Sequence, residues 1–471
     1  MTGSKINTTS DDTICAVATV QGGALSVLRM SGSKAFEIAD QIFRPAIGRK
    51  KVSEQKARSL HYGVLHDKDE DIDEVVLSIF RGPHSFTGQD VVEISCHGSR
   101  VICRRALQMM VDLGARMAQP GEFTQRAFLA VKMDLAQAEA VADLVAANSE
   151  AARRMALSQL RGSFSHQLSD LREQLLQFSS LIELELDFSE EDVEFADRSQ
   201  LTLLLEHIMR MVGNLVDSFK IGNAIKNGIP VAIVGKPNVG KSTLLNALLG
   251  DDRAIVSDMA GTTRDSIEDT ITLGGILFRF IDTAGIRQTQ DAVETMGINR
   301  TWGHVEKARI VLLVVDSSHT ADDAEAMCCE IRASLNVEDQ LLFLVVNKVD
   351  VGKPVWLTDE WIEKQDVDKC ICLSAKNKDG LEQLQDYLVE ASAENMEESC
   401  GVAVSNIRHY EALKNAQEAL LRVSVGIRTG LSGELMAVDL REVTDSLASI
   451  TGELTSQDVL NNIFAKFCIG K

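Results

Sequence analysis

The stretch from Val231 to Thr243, V-A-I-V-G-K-P-N-V-G-K-S-T, decides the fold of the region around it. Four apolar residues typical of a buried strand lead into G-x-x-x-x-G-K-S, and the helix-forming run L-L-N-A-L-L follows. A strand before this pattern and a helix after it are the context that a phosphate-binding loop requires. In such a loop the backbone N–H groups and the helix N-terminus point at phosphate oxygens. The stretch therefore predicts a site for the phosphates of a nucleotide.

The residues of this loop have different expected roles. Lys241 should reach the β- and γ-phosphates, and the hydroxyl of Ser242 should bind Mg²⁺. The alternative is a glycine-rich turn with an incidental lysine, which the motifs further along the chain argue against. The expected nucleotide contacts here are Asn238, Val239, Gly240, Lys241, Ser242 and Thr243.

Three further short motifs each follow a predicted strand. Asp282-Thr283-Ala284-Gly285 can hold Mg²⁺ through water and can contact a γ-phosphate. Asn347-Lys348-Val349-Asp350 offers a carboxylate that can accept both N–H groups of the guanine edge, which adenine does not have. Ser374-Ala375-Lys376 can support the base through backbone N–H groups. Four motifs in this order resemble the GTPase superfamily, because an ATPase would leave the guanine-edge carboxylate unexplained.

The segment Ser257–Asp265, S-D-M-A-G-T-T-R-D, is the candidate switch loop. Thr263 is expected to complete the coordination of Mg²⁺ in the triphosphate state, and Ser257 and Thr262 are expected to contact the nucleotide. The alternative is an ordinary turn, but G-T-T-R-D is longer than a chance turn signal.

The residue directly after D-T-A-G is Ile286, where small GTPases commonly carry a glutamine that orients the attacking water. An isoleucine side chain cannot hydrogen-bond to water, so another group must stabilise the transition state. The candidates are Arg264, Arg287, Glu294 or a monovalent cation bound near Asn238.

The composition limits the class of protein. A chain of 471 residues has room for about three domains. The net charge of −21 excludes a globally basic nucleic-acid footprint, so any RNA contact needs a local basic patch or a partner that supplies one. The nine cysteines form no C-x-x-C motif, which leaves zinc and thioredoxin-like sites without support. We expect a cytoplasmic protein with no membrane partner, because no leader and no apolar run of about 18 or more residues is present.

The spacing of strands, helices and prolines predicts a multidomain α/β chain. Residues 1–130 mix strands with helices and should form an N-terminal α+β domain. Residues 131–228 and 391–471 have apolar residues at helical spacing, and no proline lies between Pro120 and Pro230. Residues 229–390 alternate strands with helices, as in a Ras-like doubly wound α/β G domain. One discontinuous all-α helical domain with the G domain inserted is the expected arrangement, although the patterns alone do not exclude a separate C-terminal bundle.

The chain as a whole resembles the MnmE family, also called TrmE, of tRNA modification GTPases. The resemblance covers essentially all 471 residues, and the terminal segment Phe467–Lys471 is its most specific mark, since a cysteine this close to a GTPase's C-terminus has no generic reason. The motifs that carry it are N-V-G-K-S-T, A-G-T-T-R-D, D-T-A-G-I-R, G-P-H-S-F-T-G-Q-D-V-V-E-I, P-G-E-F-T-Q-R-A-F-L-A-V-K-M-D-L-A-Q-A-E-A and F-C-I-G-K.

The resemblance implies an enzyme whose GTP hydrolysis is stimulated by potassium. Such an enzyme adds an aminomethyl or carboxymethylaminomethyl group at C5 of the tRNA wobble uridine, using a one-carbon unit of 5-formyl- or methylene-tetrahydrofolate. It acts with the FAD-bearing partner MnmG in a heterotetramer. The resemblance also implies an N-terminal domain that forms a homodimer and binds the folate, and it favours the inserted G domain. A regulatory GTPase switch in ribosome assembly, without folate chemistry, is the alternative function.

The resemblance also assigns roles outside the nucleotide motifs. It implies that the folate is bound by Arg29, Glu93, Lys132 and Lys471, with cations for the glutamate tail and a carboxylate for the N–H edge of the pterin. Cys468 would be the catalytic or near-substrate thiol, and a buried structural cysteine is the alternative.

For the potassium ion, the resemblance implies the ligands Asn238, Ser257, Met259 and Thr262. It also implies that Glu294 organises the attacking water, which agrees with the isoleucine after D-T-A-G. One departure from the family is the first turn, Ala18–Gly23, which is shorter than A-T-P-P-G-R-G-G and has neither its arginine nor its prolines. We therefore expect fewer contacts from this turn to the folate or to a second copy of the chain than the family's longer turn would make.

Overall fold

Alternating and continuous apolar runs build two seven-stranded sheets in the computed structural model of the chain. The structure describes residues 12–20, 22–68, 70–188, 198–250, 255–256, 269–281, 305–336, 339–393, 403–429, 431 and 433–470. The chain divides into two compact units. Unit 1 is Met1–Ala142, Gln159–Glu173 and Leu440–Lys471, and unit 2 is Asp143–Ser158 and Gln174–Asp439.

The first sheet lies in unit 1. Its strands are β1 (Thr13–Val17), β2 (Leu25–Ser31), β3 (Phe43–Pro45), β4 (Ser59–Asp67), β5 (Glu70–Phe80), β6 (Val91–His97) and β7 (Ala115–Met117). Their spatial order is β3-β4-β5-β6-β2-β1-β7, and every neighbouring pair is antiparallel except β1 with β7. The helices that accompany it are α1 (Ala35–Ile42), α2 (Arg100–Asp112) and α3 (Glu122–Leu129).

The two faces of this sheet have different characters because side chains alternate along each strand. Leu28 and Met30 of β2 and Ile94 of β6 belong to the core that α1 and α2 cover. Arg29 and Glu93, from the same two strands and paired in register, therefore lie on the opposite face. This face positions the first candidate site.

Long helices follow, as the scarcity of proline predicts. They are α4 (Leu135–Ala146), α5 (Glu150–Leu160), α6 (Ser163–Phe188) and α7 (Arg198–Asn227). None of the helices in the described ranges combines the length and the apolar character that a bilayer-spanning helix needs.

The second sheet lies in unit 2. Its strands are β8 (Ile229–Val234), β9 (Ile255–Val256), β10 (Asp269–Leu273), β11 (Ile276–Phe280), β12 (Ile310–Asp316), β13 (Leu341–Asn347) and β14 (Lys369–Cys372). The spatial order is β14-β13-β12-β8-β11-β10-β9, parallel from β14 to β11 and antiparallel in the last two pairs. The helices after β8 are α8 (Lys241–Leu249), α9 (Ala321–Arg332), α10 (Asp359–Lys364) and α11 (Leu381–Ala393).

Both faces of this sheet are buried, as in a doubly wound fold. Along β12, Leu312 and Val314 belong to one apolar cluster, which includes residues of α8 and α11. Leu313 and Val315 belong to a second cluster, which includes residues of α9. The prediction of a doubly wound α/β domain is confirmed. The sequence prediction did not include the short antiparallel strands β9 and β10.

The remaining helices are α12 (Ile407–Thr429), α13 (Gly433–Thr451) and α14 (Gln457–Phe464). The ring of Phe219 in α7 stacks on the ring of Tyr410 in α12, with centroids 4.3 Å apart. Helices from before and after the second sheet thus pack together. This confirms the discontinuous helical arrangement and is evidence against a separate C-terminal bundle.

Candidate functional site

The phosphate-loop motif lies between β8 and α8, as the sequence predicts. Gly240, directly before α8, has φ +98°, and a Cβ at this position would overlap the side-chain nitrogen of Asn347. Asn238 also has a positive φ of 64°, which asparagine tolerates better than most residues. The glycine is therefore required both by the backbone conformation and by the close approach of another motif.

Lys241 points back into this loop. Its Nζ donates hydrogen bonds to the carbonyl oxygens of Gly235 (2.7 Å) and Lys236 (2.9 Å). Burial lowers the pKa of the Lys241 ammonium below its usual value. Ser242 and Thr243 follow in the first turn of α8, where the helix N-terminus favours an anion. A cation, a hydroxyl pair and a helix N-terminus thus meet at one end of the sheet.

Asn347 joins two of the predicted motifs. Its buried side chain donates from Nδ2 to the carbonyl oxygen of Val239 (2.9 Å) and accepts at Oδ1 from the backbone N–H of Ala375 (2.9 Å). The sequence predicted Asn347 and Ala375 as nucleotide contacts. In the structure they also hold the phosphate loop and the Ser374–Lys376 loop together.

Lys348 makes a second connection between the motifs. Its Nζ donates to the carbonyl oxygen of Asn238 (2.8 Å) and forms an ion pair with Asp316 (2.6 Å). Burial by itself would raise the pKa of Asp316, but Lys348 and Ser318 outweigh burial and hold it below its usual value. The ammonium of Lys348 is thereby fixed beside the phosphate loop.

Asp350 is held by one neighbour. The hydroxyl of Ser374 donates to Oδ1 of Asp350 at 2.7 Å, so the carboxylate has a defined orientation. The described members of the predicted nucleotide site thus converge where β8, β13 and β14 end, the edge at which such sheets bind ligands. The residues that the sequence analysis singled out and that lie outside the described ranges are Ser257, Met259, Thr262, Thr263, Arg264, Asp282, Thr283, Ala284, Gly285, Ile286, Arg287, Glu294 and Lys471.

A second candidate site lies on the open face of the first sheet. Arg29 Nε donates to Glu93 Oε1 at 2.8 Å, and its Nη1 donates to the carbonyl oxygen of Gly470 at 3.2 Å. The Arg29 and Glu93 side chains retain 22% and 25% of their exposure, so a ligand can reach both. The rings of Phe86 and Phe123 have centroids 5.7 and 5.6 Å from the guanidinium carbon. A cation, a carboxylate and two aromatic rings therefore meet here.

The C-terminal segment docks beside this site. The carbonyl oxygen of Cys468 accepts from the backbone N–H of Gly121 at 3.4 Å. Phe464 and Phe467 pack in an apolar cluster with residues of α4. The Cys468 residue itself is exposed, which argues against the buried structural cysteine considered as the alternative. Lys132, the remaining described folate candidate, is exposed.

The sequence prediction missed a charged network next to this segment. The carboxylate of Glu122 accepts from Arg116, from Arg126 and from the backbone N–H of Gln119. Arg126 also donates to the backbone and side chain of Asp12. Glu122 and Arg126 are buried although they are charged, and buried charges need such partners. The only sequence signal was their place in the motif P-G-E-F-T-Q-R.

Comparison with known proteins agrees with this arrangement. The family model described as "MnmE helical domain" matches residues 135–468, and the model "GTP-binding protein TrmE N-terminus" matches residues 13–132. The chain belongs to the MnmE family. The matched ranges include the Arg29–Glu93 pair, the phosphate loop and Cys468, so family membership extends to both candidate sites.

Relatives with the name "tRNA modification GTPase MnmE" align over nearly the full chain. The MnmE of Bacteroides thetaiotaomicron is 50% identical over 473 residues, which cover 98% of this chain and 100% of the relative. The MnmE of Parabacteroides distasonis is 51% identical over 468 residues, with the same coverage. Among solved structures, the G domain of the T. maritima FeoB iron transporter aligns with 35% of this chain and 98% of its own, at 27% identity and a TM-score of 0.25.

Proposed function

We propose that this MnmE-family chain is a GTP hydrolase that takes part in tRNA modification. The family membership and the name shared by its full-length relatives support the proposal. The structural observation that carries it is the double hydrogen bond of Asn347, which brings the guanine-edge motif against the phosphate loop. One nucleotide can then contact Lys241 with its phosphates and Asp350 with its base.

Different residues are proposed to bind the phosphates, the base and the Mg²⁺ of the bound GTP. The ammonium of Lys241 offsets phosphate charge, and the carboxylate of Asp350 accepts from the guanine N–H groups. Mg²⁺ would be held by Ser242 and Thr263, and it would neutralise charge on the phosphates when bound. The position of Ser242 in the first turn of α8 fits this role.

Hydrolysis is proposed to depend on a potassium ion, held by Asn238, Ser257, Met259 and Thr262. The support is chemical. Ile286 cannot orient water, and a bound cation can offset the negative charge that the phosphoryl group carries in the transition state. Glu294 is the proposed residue that organises the attacking water. GTP turnover should therefore slow markedly when potassium is replaced by sodium, and equal rates in the two salts would contradict this part of the proposal.

A tetrahydrofolate derivative, 5-formyl- or methylene-tetrahydrofolate, is proposed to bind near Arg29 and Glu93. The pair suits a ligand with a flat N–H-bearing ring and an anionic tail, and the exposed ring of Phe86 offers apolar contact, whereas the ring of Phe123 is buried behind the guanidinium. Lys132 and Lys471 would contribute further cations to the tail. When bound, the folate supplies the one-carbon unit for the wobble uridine.

Cys468 is the proposed thiol near the substrate. Its exposure supports this role, while the backbone of the segment is held by Gly121 and Arg29. Cys468→Ser should abolish tRNA modification and leave GTP turnover nearly intact. Loss of both activities would instead indicate that the cysteine has a structural role.

A homodimer is proposed through the open face of the first sheet. Leu25, Leu60 and Tyr62 expose 65%, 71% and 55% of their surfaces there, and Val76 exposes 38%. Apolar patches of this kind on a sheet face commonly mark interfaces. The flavin is proposed to reside in MnmG, joined with this chain in a cytoplasmic heterotetramer. Tyr62→Lys should yield a monomer in size-exclusion chromatography with light scattering, and an unchanged mass would contradict the interface.

Mass spectrometry of wobble nucleosides tests the function as a whole. A strain that lacks this chain should lose the aminomethyl or carboxymethylaminomethyl group at C5 of the wobble uridine. Complementation with the intact chain should restore it. If the uridine modification were unchanged in the deletion strain, the proposed function would be wrong and a regulatory GTPase switch would be the better explanation.

A further inference from the structure

A basic segment, residues 44–58, links β3 to β4 in unit 1. It contains six basic residues and one acidic residue, a net charge of +5 (six minus one), although the whole chain carries −21. All six basic residues are exposed: Arg44, Arg49, Lys50, Lys51, Lys56 and Arg58. Arg44 pairs with Asp71 at 2.6 Å. For the other five, no carboxylate lies within ion-pair distance among the residues that the structure describes.

The basic segment is fixed to the sheet rather than loosely attached. The Arg81 guanidinium donates to the carbonyl oxygens of Ser53 (2.6 Å) and Gln55 (3.1 Å). The hydroxyl and N–H of Ser53 donate to Asp40, and Val52 is buried in the core. Such anchoring lowers the entropy that a partner would have to remove on binding. The basic side chains therefore project from a backbone of defined shape.

The acidic turn of the same hairpin, with Asp67, Glu70 and Asp71, lies at the other end of β4 from Lys56 and Arg58. The basic segment ends beside Ser59, the first residue of β4, whereas the acidic turn begins at Asp67, the last. Eight residues of extended strand separate them by about 26 Å. This exceeds the Debye length of about 8–10 Å at moderate salt, so the acidic turn screens Lys56 and Arg58 weakly. Only the start of the segment is close to that turn, where Arg44 pairs with Asp71. Arg105 also pairs with Asp67 and Glu70 at that turn.

These observations point to a polyanion as the partner of the basic segment. Phosphate groups of a nucleic-acid backbone bind Lys and Arg side chains without needing a specific base sequence. Repulsion from the acidic remainder of the chain disfavours other approaches, so a local basic surface fixes the side on which RNA can dock. We propose that the basic segment binds the phosphate backbone of the tRNA substrate. The inference rests on the proposed function and names the surface that this function needs.

The test is a charge-neutralised full-length chain, Arg49→Gln/Lys50→Gln/Lys56→Gln. Binding of a fluorescein-labelled tRNA transcript with a wobble uridine is followed by anisotropy from about 50 to 300 mM salt, the range in which counterion release is measured. Losing three phosphate contacts should lower the slope of log affinity against log salt by about 2–3. The affinity at about 100 mM salt should fall at least about tenfold.

The matched control is Lys307→Gln/Lys364→Gln/Lys414→Gln, which removes the same charge from exposed lysines of unit 2. It should bind tRNA with the affinity and salt slope of the unaltered chain. Both triple variants should keep full GTP turnover, which reports on unit 2, and an unchanged circular dichroism spectrum and melting temperature would show that unit 1 is also folded. An unchanged slope in the first variant, an equal fall in the control, or no measurable tRNA binding by the unaltered chain would each overturn the proposal.

A membrane surface is the other polyanion that the test separates. If the unaltered chain sediments with phosphatidylglycerol vesicles, and the first triple variant loses this while keeping tRNA affinity, the segment binds lipid and the proposal is wrong. The wobble-nucleoside measurement on the deletion strain is independent of these binding data. The proposed function can therefore fail or stand separately from the assignment of its RNA-binding surface.

Discussion

A single added methyl group can test how the C-terminal segment packs against Gly121. Gly121 has φ +67°, and a Cβ there would lie 2.7 Å from the carbonyl oxygen of Phe464 and 3.0 Å from the Cβ of Phe467. Gly121→Ala therefore meets backbone and an anchored side chain, neither of which can rotate away. Gly48→Ala is the matched control, because Gly48 has φ +85° and a Cβ there would have no neighbour within 4 Å.

Both variants carry the cost of an alanine in the left-handed region, but only Gly121→Ala adds an overpacking cost. An alanine in the left-handed region costs about 1–2 kcal/mol at either position. Overpacking at Gly121 adds about 1–3 kcal/mol, which the control does not have. If this addition weakens docking of the segment, local opening becomes roughly 5- to 150-fold more frequent, since about 1.4 kcal/mol corresponds to a factor of ten.

Hydrogen–deuterium exchange with mass spectrometry measures this opening directly. Peptides covering Gln457–Gly470 should exchange faster in Gly121→Ala and at the normal rate in Gly48→Ala. The Gly121 variant should also lose tRNA modification while retaining GTP turnover, because the nucleotide residues belong to unit 2. Equal exchange of these peptides in the two variants would refute the role assigned to Gly121.

Three further changes probe other parts of the chain. Asn347→Ala leaves two backbone groups without their partner, so we expect a loss of roughly 2–5 kcal/mol in unfolding experiments and weak GTP binding; nucleotide affinity close to that of the unaltered chain would contradict this. Iodoacetamide at about pH 8 should alkylate the exposed Cys468. It should spare Cys96 and Cys328, because burial raises the pKa of both thiols to about 12; equal labelling by mass spectrometry would be the contrary result. Burial alone would raise the pKa of Glu122, but its arginine partners and a backbone N–H hold it below 4.5. This stabilisation is present above the unfolded-state pKa and is lost as the pH falls through the lower folded-state pKa. Glu122→Gln should therefore flatten the dependence of the melting temperature on pH in that acidic range, and an unchanged slope would contradict this.

The nucleotide site could be predicted from the sequence because each of its motifs is a short run of consecutive residues. A phosphate loop is recognisable from a strand, two glycines and a lysine within Val231–Thr243. The internal bonds of Asn347 were not predictable in the same way, since its partners Val239 and Ala375 lie 108 and 28 residues away. Which of two polar atoms meets which distant backbone group depends on the folded path of the chain.

The same limit applies to the first sheet. The apolar alternation of β2 and β6 predicts strands, and their pairing places Arg29 opposite Glu93. The bond from Arg29 to Gly470 spans 441 residues and follows from no local pattern. Strand β9 was missed because two residues are too few for a periodic signal. The alternation D-T-I-T-L of β10 is a strand signal that the sequence analysis overlooked. Only a comparison of whole chains connected the first strands with the last five residues.

The terminal motif F-C-I-G can now be explained by what each residue contacts. Phe467 is buried among apolar residues and anchors the segment. Gly470 has φ +95°, and a side chain there would overlap the backbone of Val17, so only glycine allows this approach. Between these two fixed points, Cys468 and Ile469 are exposed. The protein therefore holds the segment through its backbone and its ends, and this leaves the cysteine side chain available for chemistry.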